Sequence, residues 1–152
     1  MRRHVPLQAL RERADLPSSP RLSLRHVKRV LVADDDSDMA ALIKAMLEER
    51  LSVAVDHVAN GALVLDQIAT THPDLVILDV SMPGLNGIDV FDLLRGSAAA
   101  VDLPVLFLTA MPDRAQQAFA HFGISDVMAK PFDADTFVRR VDDLLARAAR
   151  VA

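Results

Sequence analysis

The chain contains no cysteine, no tryptophan and no tyrosine. Without cysteine there is no disulfide framework, no thiolate metal site and no cysteine nucleophile. Aromatic residues amount to 4%, all of them phenylalanine, so basic stretches lack the interleaved rings that stack on single-stranded bases. Nucleic acid is therefore an unlikely partner. No apolar run reaches the roughly 18 residues of a membrane span, and the N-terminus lacks the apolar core of a secretory signal. A soluble cytoplasmic protein with no membrane contact is the expectation. What the chain does have is aliphatic bulk: 51% of its 152 residues are hydrophobic, enough for one domain with a packed core.

Charge is divided unevenly along the chain. Residues 1–29 hold eight basic side chains against Glu12 and Asp15, a net +6, whereas the remainder holds nine basic and nineteen acidic, a net −10. Residues 1–27, which include the linker-like "LPSSPRLS" (16–23), read as a flexible basic extension, and residues 28–150 as the folded domain.

From residue 28 onward two patterns alternate. "RVLVA" (29–33), a short β-branched run without polar alternation, reads as a strand covered on both faces. "SVAVDHV" (52–58), "PDLVILDV" (73–80), "LPVLFLTA" (103–110) and "SDVMAKPF" (125–132) read as the next four strands, "PDLVILDV" being buried. Between and after them, 38–50, 61–70, 88–95, 113–122 and a last segment from about Asp133 to Arg150 carry helical spacing. The first helix is expected to bury Met39, Leu42, Ile43, Met46 and Leu47, and the last Phe137, Val141, Leu144 and Ala148. Phe119 and Phe122 follow core spacing. Strands returned in one direction by helical crossovers predict an α/β fold with a parallel sheet covered on both faces.

The polar residues fall where buried strands end: Asp34 and Asp35 after the first, Asp79 at the third, Thr109 at the fourth, Lys130 at the fifth. In a parallel sheet these ends share one edge, where ligands bind at the reversal of strand order. Clustered carboxylates without cysteine or a nearby histidine suit a hard cation, Mg²⁺ above all. With a lysine and a threonine hydroxyl added, the set suits stabilisation of a transferring phosphoryl group with one aspartate as nucleophile. In the run "VADDDSD" (32–38), Asp36 or Ser37 is expected to cap the following helix, and Asp38 to meet its dipole. His57, His72 and His121 are expected to play surface or structural roles.

The segments "VLVADDDSD", "LVILDVSMPGLNG", "VLFLTA" and "VMAKPF" resemble, in order, the signatures of response-regulator receiver domains of two-component signalling. The D-x-x-M-P-x-x-x-G pattern of Asp79, Met82, Pro83 and Gly87, together with Lys130–Pro131, carries that resemblance. It implies a flavodoxin-like (βα)5 fold with strand order 2-1-3-4-5. It also implies that Asp79 accepts a phosphoryl group from a sensor histidine kinase or a histidine phosphotransfer protein. Asp34 and Asp35 would hold Mg²⁺ together with Asp79 and the backbone carbonyl of Ser81, while Thr109 and Lys130 would contact the phosphoryl group. Two departures stand out. Val127 occupies the place of the family's usual Tyr or Phe switch, which removes an aromatic swing. Ser81 and Met111 occupy the two places that tune dephosphorylation.

With the last helix running to the end of the sequence, a stand-alone regulator is the expectation. It would not be an enzyme beyond its own phosphorylation and dephosphorylation, and would act through an unidentified downstream protein, by relay, or by homodimerisation. Arg139, Arg140 and Arg147 would give the usual output face a basic component. A receiver cut from a longer protein fits the same residues. The competing class is a haloacid-dehalogenase-type phosphatase, whose D-x-D motif Asp34 and Asp36 satisfy with Asp34 as nucleophile. It leaves the pattern at Asp79 unexplained, and no cap domain or late acidic pair is present.

Overall fold

The computed structural model of the protein describes residues 26–98, 100–113, 117 and 125–151. Its elements are β1 (Lys28–Ala33), α1 (Ser37–Arg50), β2 (Val53–Val58), α2 (Val64–Thr71), β3 (Leu75–Leu78), α3 (Gly87–Arg95), β4 (Val105–Thr109), β5 (Ser125–Ala129) and α4 (Ala134–Val151). Most of the helix expected over 113–122, with Phe119, His121 and Phe122, lies outside the described residues, as do residues 1–25.

The strands form one parallel sheet in the order β2-β1-β3-β4-β5. The absence of polar alternation in the buried runs of β1, β3 and β4 has a direct cause. Successive residues point to opposite faces, and both faces are covered. Val30, Val32, Leu75, Ile77, Leu106 and Leu108 face one core with Ile43 and Leu47 of α1 and Phe137, Val141 and Leu144 of α4. Leu31, Ala33, Val76, Leu78, Val105 and Phe107 face the other, against Val64 and Ile68 of α2 and Val90, Phe91 and Leu94 of α3. The sheet is the parallel, doubly covered one that the alternation predicts, and its strand order is that of the flavodoxin-like fold implied by the resemblance.

Three local details differ from the sequence reading. On α1 the buried stripe is Ala40, Ile43 and Leu47, with Met39 and Met46 half-buried, while Leu42 is 54% exposed. Positions 40, 43 and 47 share one face at helical spacing, and Leu42 stands roughly 200° around the helix from residue 40. On α4, Val138 and Leu145 join the core, whereas Ala148 is only half-buried. The second helix opens as a 3-10 turn, Gly61–Leu63, capped by the side chain of Asn60. Gly61 is packed so closely there that a Cβ would lie 2.0 Å from the carbonyl oxygen of Leu85. Helix α2 closes on His72, which adopts a left-handed conformation (φ 48°) just before Pro73 and the descent into β3.

Candidate functional site

The sheet ladder continues one residue past the strands, and this sets the site. The N–H of Asp34 donates to the Val58 carbonyl (3.1 Å), that of Asp79 to the Ala33 carbonyl (2.9 Å), and that of Lys130 to the Thr109 carbonyl (2.8 Å). Residues from four separate segments are thereby lined up along the C-terminal edge of the sheet. Asp34, Asp79 and Thr109 are the buried polar residues among those described, at 2%, 7% and 1% exposure. Burying carboxylates requires compensation by charge or hydrogen bonds.

Lys130 supplies the charge. Its Nζ donates to Asp34 Oδ2 (2.8 Å) and to Asp79 Oδ2 (3.2 Å). The remaining oxygens accept from backbone: Asp34 Oδ1 from the N–H of Asp36 (2.9 Å), Asp79 Oδ1 from that of Ser81 (3.1 Å). Asp35 is exposed at the mouth, and carboxylate oxygens of Asp34, Asp35 and Asp79 lie within 4.8 Å of one another. Desolvation raises the pKa of Asp79, helped by the charge of Asp34 and opposed by the Ser81 N–H and by Lys130. For Lys130 desolvation pulls the other way. It is outweighed by the hydrogen bond to Asp34 and the charges of both aspartates, so the ammonium is held above its usual value. Three carboxylates with oxygen-only chemistry fit a hard divalent cation such as Mg²⁺.

Thr109 Oγ1 accepts from the N–H of Met111 (2.9 Å), which leaves its hydroxyl hydrogen for an acceptor in the pocket. Ser81 stands two residues beyond Asp79 on the exposed loop leading to α3. That loop is tightly laid. A Cβ on Gly87 would lie 2.3 Å from the Asp79 carbonyl oxygen, and Gly84 takes the left-handed region (φ 80°) against the Asn60 side chain. Asn86 then caps α3 through the N–H of Asp89 (3.0 Å).

The four aspartates of residues 34–38 divide in this way: Asp34 and Asp35 enter the pocket, Asp36 caps α1 by accepting from the N–H groups of Asp38 and Met39, and Asp38 sits in the first turn. Val127 is half-buried against the α2/α3 core. Sequence reading gave His57 a surface or structural role without placing it beside the acidic pair. Its ring Nε2 lies 2.7 Å from the Asp34 carbonyl oxygen, a contact traceable only through the register that sets His57 beside Val32. The Asn60–Gly61 pair was likewise overlooked, although such a dipeptide is a turn signal that fits a close backbone approach.

The model for the response regulator receiver domain matches residues 30–142. The chain belongs to the response-regulator receiver domain family. Among curated proteins, this receiver domain is similar to the DNA-binding response regulator MtrA of Mycobacterium tuberculosis. The two are 35% identical over 122 residues, which is 79% of this chain and 51% of MtrA. It is also similar to the response regulator MprA of the same organism, with 37% identity over 121 residues, or 78% and 51% of the two chains. The chain spans about half the length of the curated relatives it matches. Among solved structures, the signal receiver domain of a signal transduction histidine kinase from Syntrophus aciditrophicus has a TM-score of 0.71 and 30% identity, covering 79% of this chain and 91% of that one. No helix among the described residues is long and apolar enough to cross a membrane.

Proposed function

We propose that this receiver domain accepts a phosphoryl group on Asp79 from the phosphohistidine of a sensor kinase or histidine phosphotransfer protein. It then signals through a phosphorylation-dependent protein contact or by passing the group on. The observation that carries this reading is the bridge of Lys130 Nζ between Asp34 Oδ2 and Asp79 Oδ2, beside three carboxylates grouped within 4.8 Å. Here a nucleophile, its counter-charge and a cation-binding set share one strand edge. The receiver is taken to occupy residues 28–150, with residues 1–27 as a basic extension.

In this mechanism a carboxylate oxygen of Asp79 attacks phosphorus while the phosphorus–nitrogen bond of the donor breaks and its electron pair returns to the imidazole. Asp79 reacts as the anion, and Lys130 favours that anion against desolvation. Once the acyl phosphate forms, Lys130 shifts its contact from the carboxylate to a phosphoryl oxygen, and the Thr109 hydroxyl donates to another. Asp34, Asp35, Asp79 and the Ser81 carbonyl would hold Mg²⁺, which when bound neutralises charge on the phosphoryl oxygens. Val127 supplies no ring to swing, so an aromatic rotamer change at that position does not carry the output.

A phosphatase with Asp34 as nucleophile is disfavoured. Asp36, the other half of the D-x-D pair, is spent on capping α1, which leaves Asp34 without the second aspartate that such an enzyme needs. The test is incubation with acetyl phosphate and Mg²⁺ followed by intact mass measurement. Wild type gains one phosphoryl group and Asp79→Asn gains none. Phosphorylation that survives in Asp79→Asn and vanishes in Asp34→Asn would reverse the assignment.

A further inference from the structure

The backbone of Asp34 is held on both sides by the edge strand β2. The peptide entering Asp34 is fixed through its N–H to the Val58 carbonyl (3.1 Å), and the peptide leaving it through its C=O to His57 Nε2 (2.7 Å). That second peptide joins Asp34 to Asp35. Because a peptide unit is planar, a bond to its oxygen fixes the plane from which the Asp35 side chain departs. A carbonyl only accepts, so Nε2 carries the hydrogen, in the neutral tautomer or the cation alike. From this juxtaposition we infer that His57 is a positioning residue for the acidic pair. It touches neither carboxylate, yet it orients the unit that carries both. The inference rests on the reading of Asp34 and Asp35 as cation-holding residues.

A merely exposed histidine with a satisfied ring makes a different prediction from a positioning one. His57 is exposed, so water can replace it at the carbonyl with little loss of folding stability. What water cannot replace is the fixed orientation of the peptide plane. Partners that orient metal-holding groups typically contribute about 10–100-fold in affinity, and a solvent-exposed bond to a backbone oxygen belongs at or below the low end, about 5–10-fold.

The experiment is calorimetric titration of the full chain with MgCl2, comparing wild type, His57→Leu, His57→Gln and Asp35→Asn, with a metal-free melting curve for each. His57→Leu is expected to weaken Mg²⁺ binding about 5–10-fold, while His57→Gln, which keeps an N–H donor, stays within about twofold of wild type. Should the leucine variant not fold, His57→Asn replaces it, since its shorter amide reaches the carbonyl poorly. Equal affinity in wild type and the donorless variant overturns the inference, and so does equal weakening by Leu and Gln. A wild type that binds no Mg²⁺, or an Asp35→Asn variant that binds it unchanged, refutes the reading of the acidic pair itself. Those two results are told apart from failure of His57 alone by the wild-type and Asp35→Asn arms.

Discussion

Replacing Lys130 with methionine removes the ammonium but keeps most of the stem, and so isolates its charge. Nζ lies 2.8 Å from Asp34 Oδ2 and 3.2 Å from Asp79 Oδ2, with side-chain exposures of 19% for the lysine, 3% for Asp34 and 10% for Asp79. Each contact is worth about 5 kcal/mol of gross Coulomb attraction at an effective dielectric near 20, before desolvation is subtracted. Breaking a buried pair costs about 3–5 kcal/mol because the stranded charge has nowhere to go. Here one of the two freed carboxylates, Asp34 or Asp79, can take up a proton, so the net loss at neutral pH is about 2–4 kcal/mol. For a domain of this size that lowers the melting temperature by about 6–15 °C. The sign with pH follows from the shifts. Lys130 is raised in the folded state, so its contribution is complete at neutral pH and disappears only as pH climbs through that raised value. Acidification narrows the gap between variant and wild type from the other side, because protonated aspartates need no counter-charge. Excess Mg²⁺ narrows it as well. Far-UV circular dichroism melts with EDTA, with Mg²⁺ and at acidic pH test all three. A Lys130→Met variant that melts with wild type in EDTA at neutral pH, or a deficit unaffected by acid, would mean that the ammonium does not offset the charge of Asp34 and Asp79.

Asp79→Asn should raise the melting temperature at neutral pH, since a carboxylate whose pKa is raised by desolvation opposes folding once ionised. The gain should vanish as pH falls below the ordinary carboxylate range, where folded and unfolded states are both protonated, and a pH series of melts checks this. Gly87→Ala should impair phosphorylation from acetyl phosphate along with stability, because its Cβ would meet the Asp79 carbonyl oxygen at 2.3 Å and displace the loop. Initial rates by intact mass, set against melting curves, measure the two effects separately. Arg95→Ala should cost about 1–3 kcal/mol in urea unfolding with no effect on phosphorylation. Its guanidinium stacks on Phe91 (4.6 Å) and bonds the carbonyls of Val101 (2.8 Å) and Leu103 (2.9 Å), away from the pocket. Phe137→Ala, at a fully buried position between α4 and the sheet, should cost about 3–5 kcal/mol in the same assay.

The centre of the sheet was legible in the sequence because β1, β3 and β4 are buried twice over: Val30 and Val32 serve one core while Leu31 and Ala33 serve the other, with no polar residue to blur those runs. For the same reason Asp34, Asp79, Thr109 and Lys130 stood out, each being the first polar group after an apolar run. Details fixed by tertiary contact were not legible. Leu42 looks like core by composition, but the α1 face that meets the sheet is centred on Ala40, Ile43 and Leu47. The second helix opens as a 3-10 turn at Gly61, where the backbone passes close to the Leu85 carbonyl, a contact between segments that no local pattern shows. The role of His57 depends on a neighbouring strand's register, which no local pattern encodes. Within residues 34–38 the sequence could say that one residue caps the helix. Only the geometry shows Asp36 doing so while Asp34 bonds Lys130.

The central claim is that the reactive carboxylate belongs to Asp79. Phosphorylating the protein with acetyl phosphate and Mg²⁺, then reducing the acyl phosphate with borohydride and mapping peptides by mass spectrometry, places the reactive residue directly. Homoserine is expected at position 79 and nowhere else. Homoserine at position 34 or 35, with position 79 unmodified, would contradict it.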